Sequence, residues 1–132
     1  MKPPLPACWP PGPAYAAVLH KLMDEVPGGT VLVSEQDATD GMNVLGKTVR
    51  AWVRDMGELR SISLDEYHRM HEQIEDTERT FPFVFAFFHV LPGGREVAFG
   101  FMVSRRSGGG GRYTVIGTPE EARLECTARW LC

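Results

Sequence analysis

The stretch from Phe81 to Leu91 restricts the fold of this chain more than any other. Both of its alternate sets are apolar: Phe83, Phe85 and Phe87 in one, Val84, Ala86, Phe88 and Val90 in the other. Successive side chains of a strand point to opposite faces. A strand written this way is hydrophobic on both and belongs in the middle of a covered sheet. Pro92-Gly93-Gly94 follows as a hairpin signal, and the returning strand runs from about Glu96 to Ser104. Its faces differ. Val97, Phe99, Phe101 and Val103 are large and must meet the helices, whereas Ala98 and Gly100 let something approach closely. Arg112 to Ile116 then supplies the third strand of a meander.

Elsewhere the spacing reads as helix. Tyr15, Val18, Leu19, Leu22 and Val26 make one stripe of a helix over 13–26, with Pro13 in its first turn and Pro27-Gly28-Gly29 as its stop. Thr30 to Val33 is a short strand, and Ser34 to Gly41 a polar loop. A second helix over 44–56 is expected to bury Val49, Trp52, Val53 and Met56 and to turn Lys47, Arg50 and Arg54 outward. The third has the clearest start: Ser63 as cap, Glu66 completing a capping box, and Ile62 with Tyr67 as hydrophobic staple. Tyr67, Met70 and Ile74 face the core. Thr118-Pro119-Glu120-Glu121 opens a fourth helix lined by Leu124, Ala128 and Leu131. The expectation is an α+β fold: a mainly antiparallel sheet, made of a three-stranded C-terminal meander plus one short N-terminal strand, with about four helices.

At 132 residues, 43% hydrophobic and 23% charged, the chain has the make-up of one ordinary globular domain. The domain is expected over 14–132, behind a proline-rich leader over 1–13 that holds six of the ten prolines. Such density favours an extended polyproline II tether, loosely packed and pinned by Trp9. Its two PxxP spacings, Pro3 to Pro6 and Pro10 to Pro13, are what any proline-rich leader produces. No apolar run approaches the roughly 18 residues of a membrane span, and the leader lacks the apolar stretch of a signal peptide. No membrane partner is expected. Cys8, Cys126 and Cys132 are odd in number and not at metal-like spacing, which suggests a reducing, cytoplasmic setting. A net charge of -3 counts against a dedicated nucleic-acid binder.

Four motifs carry candidate chemistry. Gly41-Met42-Asn43-Val44-Leu45-Gly46-Lys47-Thr48 matches the phosphate-cradling pattern G-x-x-x-x-G-K-[ST] letter for letter. Its approach, Asp37-Ala38-Thr39-Asp40, is acidic and repels phosphate, and no hydrophobic run ending in Asp follows to hold magnesium. The expectation there is a helix without an ATP site. The same stretch reads as a recognition helix, with Lys47, Arg50 and Arg54 facing DNA in a winged-helix arrangement. A solvated basic face is its bland counterpart. His68, His71, Glu72 and Glu75 share one sector of the third helix, a donor set suited to zinc, with His89 as a further ligand. Yet two-histidine helical sites more often use i, i+4, and the surrounding acidity has the look of a solvated face. Finally, Gly108-Gly109-Gly110-Gly111 among Arg105, Arg106 and Arg112 reads as a mobile hairpin tip able to lie along an acidic partner.

No nucleophile motif is present: Cys126 falls in an expected helix as a small core residue, and there is no Gly-x-Ser-x-Gly. The expected function is therefore a non-enzymatic adaptor or inhibitor that binds another intracellular protein through Arg105, Arg106 and Arg112, without a cofactor. A winged-helix-like DNA-binding regulator is the alternative. A small enzyme whose site assembles only in the fold is the third.

Overall fold

In the computed structural model the doubly apolar stretch takes the central place of a seven-stranded sheet. The structure describes residues 5–26, 29–36, 48–75, 80–118 and 121–131. Along them run α1 (Pro13–Asp24), β1 (Val31–Gln36), β2 (Thr48–Asp55), β3 (Glu58–Ile62), α2 (Leu64–Glu75), β4 (Val84–Val90), β5 (Glu96–Ser104), β6 (Ser107–Ile116) and β7 (Arg123–Leu131). The strand order is β3-β2-β1-β4-β5-β6-β7. Every neighbouring pair is antiparallel except β1 with β4, which is parallel. The α+β class holds, but the sheet is larger and mixed, and among the described residues only two of the four expected helices form.

The two faces of the sheet carry separate cores. On one, α1 buries Val18, Leu19 and Leu22 against Val33, Trp52, Ala86, Phe88, Val97 and Phe99. The large-residue face of the β4–β5 hairpin thus meets a helix, as its composition requires. Trp9 joins this core, 4% exposed, with its ring 5.6 Å from that of Phe88 and 4.5 Å from that of Trp52. The leader is held by a fully packed indole rather than lying loosely on the surface. On the opposite face α2 covers Leu32, Ala51, Val53 and Ile62 with Tyr67 and Ile74. Ser63 caps it, its Oγ accepting the Glu66 N–H at 3.1 Å.

Two expected helices are strands, because pairing with neighbouring strands overrides their helical spacing. Over Thr48–Asp55, Ala51 and Val53 face the α2 core and Trp52 the α1 core, while Val49 is half exposed and Met56 94% exposed. Thr48, Val49 and Val53 are β-branched, and two neighbouring strands supply the packing that fixes them. Met56 and Gly57 form the two-residue turn into β3, both at positive φ (52° and 85°), which is the geometry hairpins prefer. At the C-terminal end, the Thr118 hydroxyl accepts the Glu121 N–H at 3.3 Å, but among the described residues it caps no helix. Arg123–Leu131 pairs along β6 instead.

The glycine run is the third correction. Gly108 to Gly111 lies inside β6, paired on both sides with β5 and β7, and the turn is Arg105-Arg106. Among the described residues no helix is long and apolar enough to cross a membrane.

Candidate functional site

Among the described residues the α2-side face of the sheet is covered only in part, and the half over β4 to β7, away from α2, is where the surface is distinctive. Register defines its rows. Phe87 pairs with Gly100, Gly100 with Gly110, and Gly110 with Trp130. All four therefore present side chains, or their absence, to one face. A Cβ on Gly100 would lie 2.6 Å from Trp130 Cζ2 and 2.7 Å from Phe87 Cζ. The two rings lean inward over a floor of glycine until their centroids are 6.2 Å apart at 15° between planes. This is what approaches the small face of β5. Trp130 remains 36% exposed and Phe87 half-buried, so the pair forms an aromatic platform open to solvent.

The platform continues towards α2 as a ribbon of rings. Phe85 lies 5.9 Å from Phe87, His71 5.3 Å from Phe85, and Tyr67 5.5 Å from His71. On the next row in the other direction stand His89, Ala98, Arg112 and Ala128. Burial, and secondarily the Arg112 guanidinium, hold the His89 imidazole below its ordinary pKa. Arg112 is exposed, as are Arg105 and Arg106 at the β5–β6 turn. Among the described residues none of the three makes an ion pair.

The other residues singled out in the sequence are placed elsewhere. Gly41 to Lys47, with the first expected DNA contact, lie outside the described residues. Thr48, the one described residue of the motif, begins a strand rather than continuing the helix expected over 44–56. Arg50 and Arg54 lie on β2, on the α1 side with Trp52, and the expected recognition helix does not form. Arg54 is buried, its Nη1 donating to the Leu22 carbonyl near the end of α1, and desolvation lowers its pKa. Arg50 Nε sits 2.8 Å from Glu35 Oε2. Glu35, 8% exposed, also accepts the Tyr15 hydroxyl at 2.9 Å. This tyrosine–carboxylate–arginine cluster ties α1 to β1 and β2; sequence reading missed it because its members are 20 and 15 residues apart.

His68 and Glu72 are exposed on α2, and His71 is stacked among aromatic rings. Glu75 is the last residue of the helix. Among the described residues no group of three His, Cys, Asp or Glu could hold a metal ion. Cys126 is exposed on β7, not buried in a helix. Phe87 and Trp130 were also missed as a pair. The signal that could have found them is two small-residue positions, Gly100 and Gly110, on strands that pair directly.

An aromatic platform beside unpaired arginines can hold apolar or planar groups and carboxylates, by ring contact and charge-assisted hydrogen bonds. No protein-family model, no curated protein and no solved structure matches the chain.

Proposed function

We propose that this is a non-enzymatic protein-binding domain, an adaptor or inhibitor of another cytoplasmic protein, with the β4–β7 half of that sheet face as its contact surface. The observation that carries it is the Phe87–Trp130 pair: two large rings arranged side by side over glycine, partly open to solvent, on a face where α2 reaches only the other half of the sheet. Interface cores are enriched in aromatic residues and arginine, and their energetic centres are most often Trp, Tyr and Arg. Here Trp130, Phe87 and Arg112 supply that composition on one side of the sheet, with Arg105 and Arg106 exposed at the adjoining β5–β6 turn. The chemistry of the surface is contact and charge.

The test is capture from native lysate on immobilised protein, with and without nuclease, followed by Trp130→Ala and by Arg105→Ala with Arg106→Ala. A protein partner retained after nuclease and lost with either variant supports the proposal. Retention only of nuclease-sensitive material, or retention indifferent to both variants, overturns it.

A further inference from the structure

We propose, resting on that reading, that the partner docks through an extended acidic segment with an apolar side chain at its middle, laid along β5 and β6 across the Phe87–Trp130 platform. The placing of charge about the rings is the basis. Arg112 stands two residues beyond Gly110 on the same face of β6, and Arg105 and Arg106 close the opposite end of the hairpin. Ala98 pairs with Arg112, and Ser104 with Ser107. At about 3.3 Å per residue the two positive ends are roughly 20 Å apart. The aromatic row crosses at Gly100, about a third of the way along. Among the described residues the floor between the rings and Arg112 is glycine and alanine, and towards the turn it is Met102 lying over Gly108, an apolar surface.

The complement of such a strip is a segment of about six extended residues, with a carboxylate near each end and an apolar group between, nearer the Arg112 end. Charge complementarity selects the acid, and the unpaired guanidinium groups give it direction, since each takes a carboxylate in bidentate fashion. A polynucleotide suits the strip less. It carries a phosphate at every step, and the acidic residues Asp65, Glu66 and Glu72 of α2 stand on the same side of the sheet in a chain of net charge -3.

Selection of a phage-displayed library of random dodecapeptides on the whole chain tests this. Enriched sequences are expected to carry two acidic residues flanking an apolar or aromatic one. The best of them, synthesised and labelled, should bind with an affinity that falls with salt. Arg105→Glu with Arg106→Glu, at an exposed turn, should leave melting unchanged and weaken binding roughly tenfold. A peptide with lysine in place of its acids should bind that variant better than the wild type. Trp130→Ala should weaken binding by roughly thirtyfold, as for a central aromatic contact. Enrichment of basic or uncharged sequences, or indifference to the glutamate pair, overturns the acidic segment. So does tighter binding of oligo(dT) or oligo(U) than of any peptide. Capture of a partner protein from lysate while no peptide is enriched also overturns it, and leaves the protein-binding function standing. Loss of both removes the two together.

Discussion

Phe87 and Trp130 stand on strands separated by two others, and their ring centroids are nevertheless 6.2 Å apart. Adjacent strands lie about 4.8 Å apart, so β4 and β7 are roughly 14 Å from one another at the backbone. Only a pair of positions without side chains between them lets the rings close that distance, and Gly100 and Gly110 are those positions. Glycine costs a strand some entropy and side-chain packing. Here the rings that cover it return the apolar contact.

Gly100→Ala should therefore destabilise by about 1–3 kcal/mol, the range for overpacking. Its Cβ would meet both rings inside contact distance, so one or both must shift and loosen their contact. Urea denaturation of Gly100→Ala, Trp130→Ala and the double variant measures the coupling. If the rings are the obstacle, the glycine substitution costs less once Trp130 is gone, by at least about 0.5 kcal/mol. Strict additivity would mean that the backbone, not the rings, requires glycine there.

Within β4 the two faces should differ in energy. Phe88 is fully buried in the α1 core, in ring contact with both Trp9 and Trp52, so Phe88→Ala should cost about 3–5 kcal/mol. Phe85 is only half-buried beneath Tyr67 and His71. Its loss should be clearly smaller, since less area leaves water. Equal losses in urea would mean the α2 face is as well covered as the other.

The contrast between those faces also marks how far sequence carries. The central strand, the returning strand and α2 with its cap are legible because local pattern and tertiary environment agree there. β2 and β7 are not. Val49, Trp52, Val53 and Met56 fall at helical spacing, yet Val49 and Met56 face solvent; β3 follows by the two-residue Met56-Gly57 turn, and β1, the other neighbour, pairs from further back in the chain. Thr118 accepts the Glu121 N–H as a helix cap would, but no helix follows among the described residues, and the next segment is drawn into the β6 ladder. The glycine run misleads for the opposite reason: four glycines promise mobility until the strands on both sides, and the rings above, are known. The platform needs four strands in register, so it has no local signature.

Trp9 should behave as core despite its proline-rich surroundings. It is 4% exposed and in ring contact with Tyr15, Trp52 and Phe88. Trp9→Ala is expected to cost about 3–5 kcal/mol, like other large-to-small changes at buried aromatics. A melting temperature within error of the wild type would mean the leader is an appendage after all.

His89 reports on the charge of the candidate surface. Burial is the larger cause of its lowered pKa, and Arg112 the smaller. Arg112→Gln should raise the His89 pKa part of the way towards 6.5 and no further, read from its ring-proton shifts by NMR titration. The sign for stability follows. A lowered pKa means the unfolded chain takes up the proton more readily, so the contribution is whole above about pH 6.5 and is lost as pH falls through the folded value. Arg112→Gln should shrink that acid-side loss. No change in the titration would place Arg112 away from His89 in solution.

Tyr15 supplies the alkaline counterpart. Its pKa is raised above 10.0, first by burial and then by its hydrogen bond to Glu35, with the Arg50 charge opposing. A raised pKa in the fold means the phenol keeps its proton while the unfolded chain would release it. The associated stability is present in full below about pH 10 and disappears as pH rises through the folded value. Glu35→Gln removes the negative charge and keeps an acceptor, so the Tyr15 pKa should come down but stay above 10.0, because burial persists. The same change strips Arg50 of its carboxylate, an ion pair half open to water and of modest value. Absorbance titration of tyrosinate in wild type, Glu35→Gln and Tyr15→Phe separates Tyr15 from Tyr67 and Tyr113 and gives the shift directly. A Tyr15 that titrates at the same pH with and without the Glu35 charge would show that burial alone holds its proton, and that the cluster at the end of β1 is packed rather than electrostatically coupled.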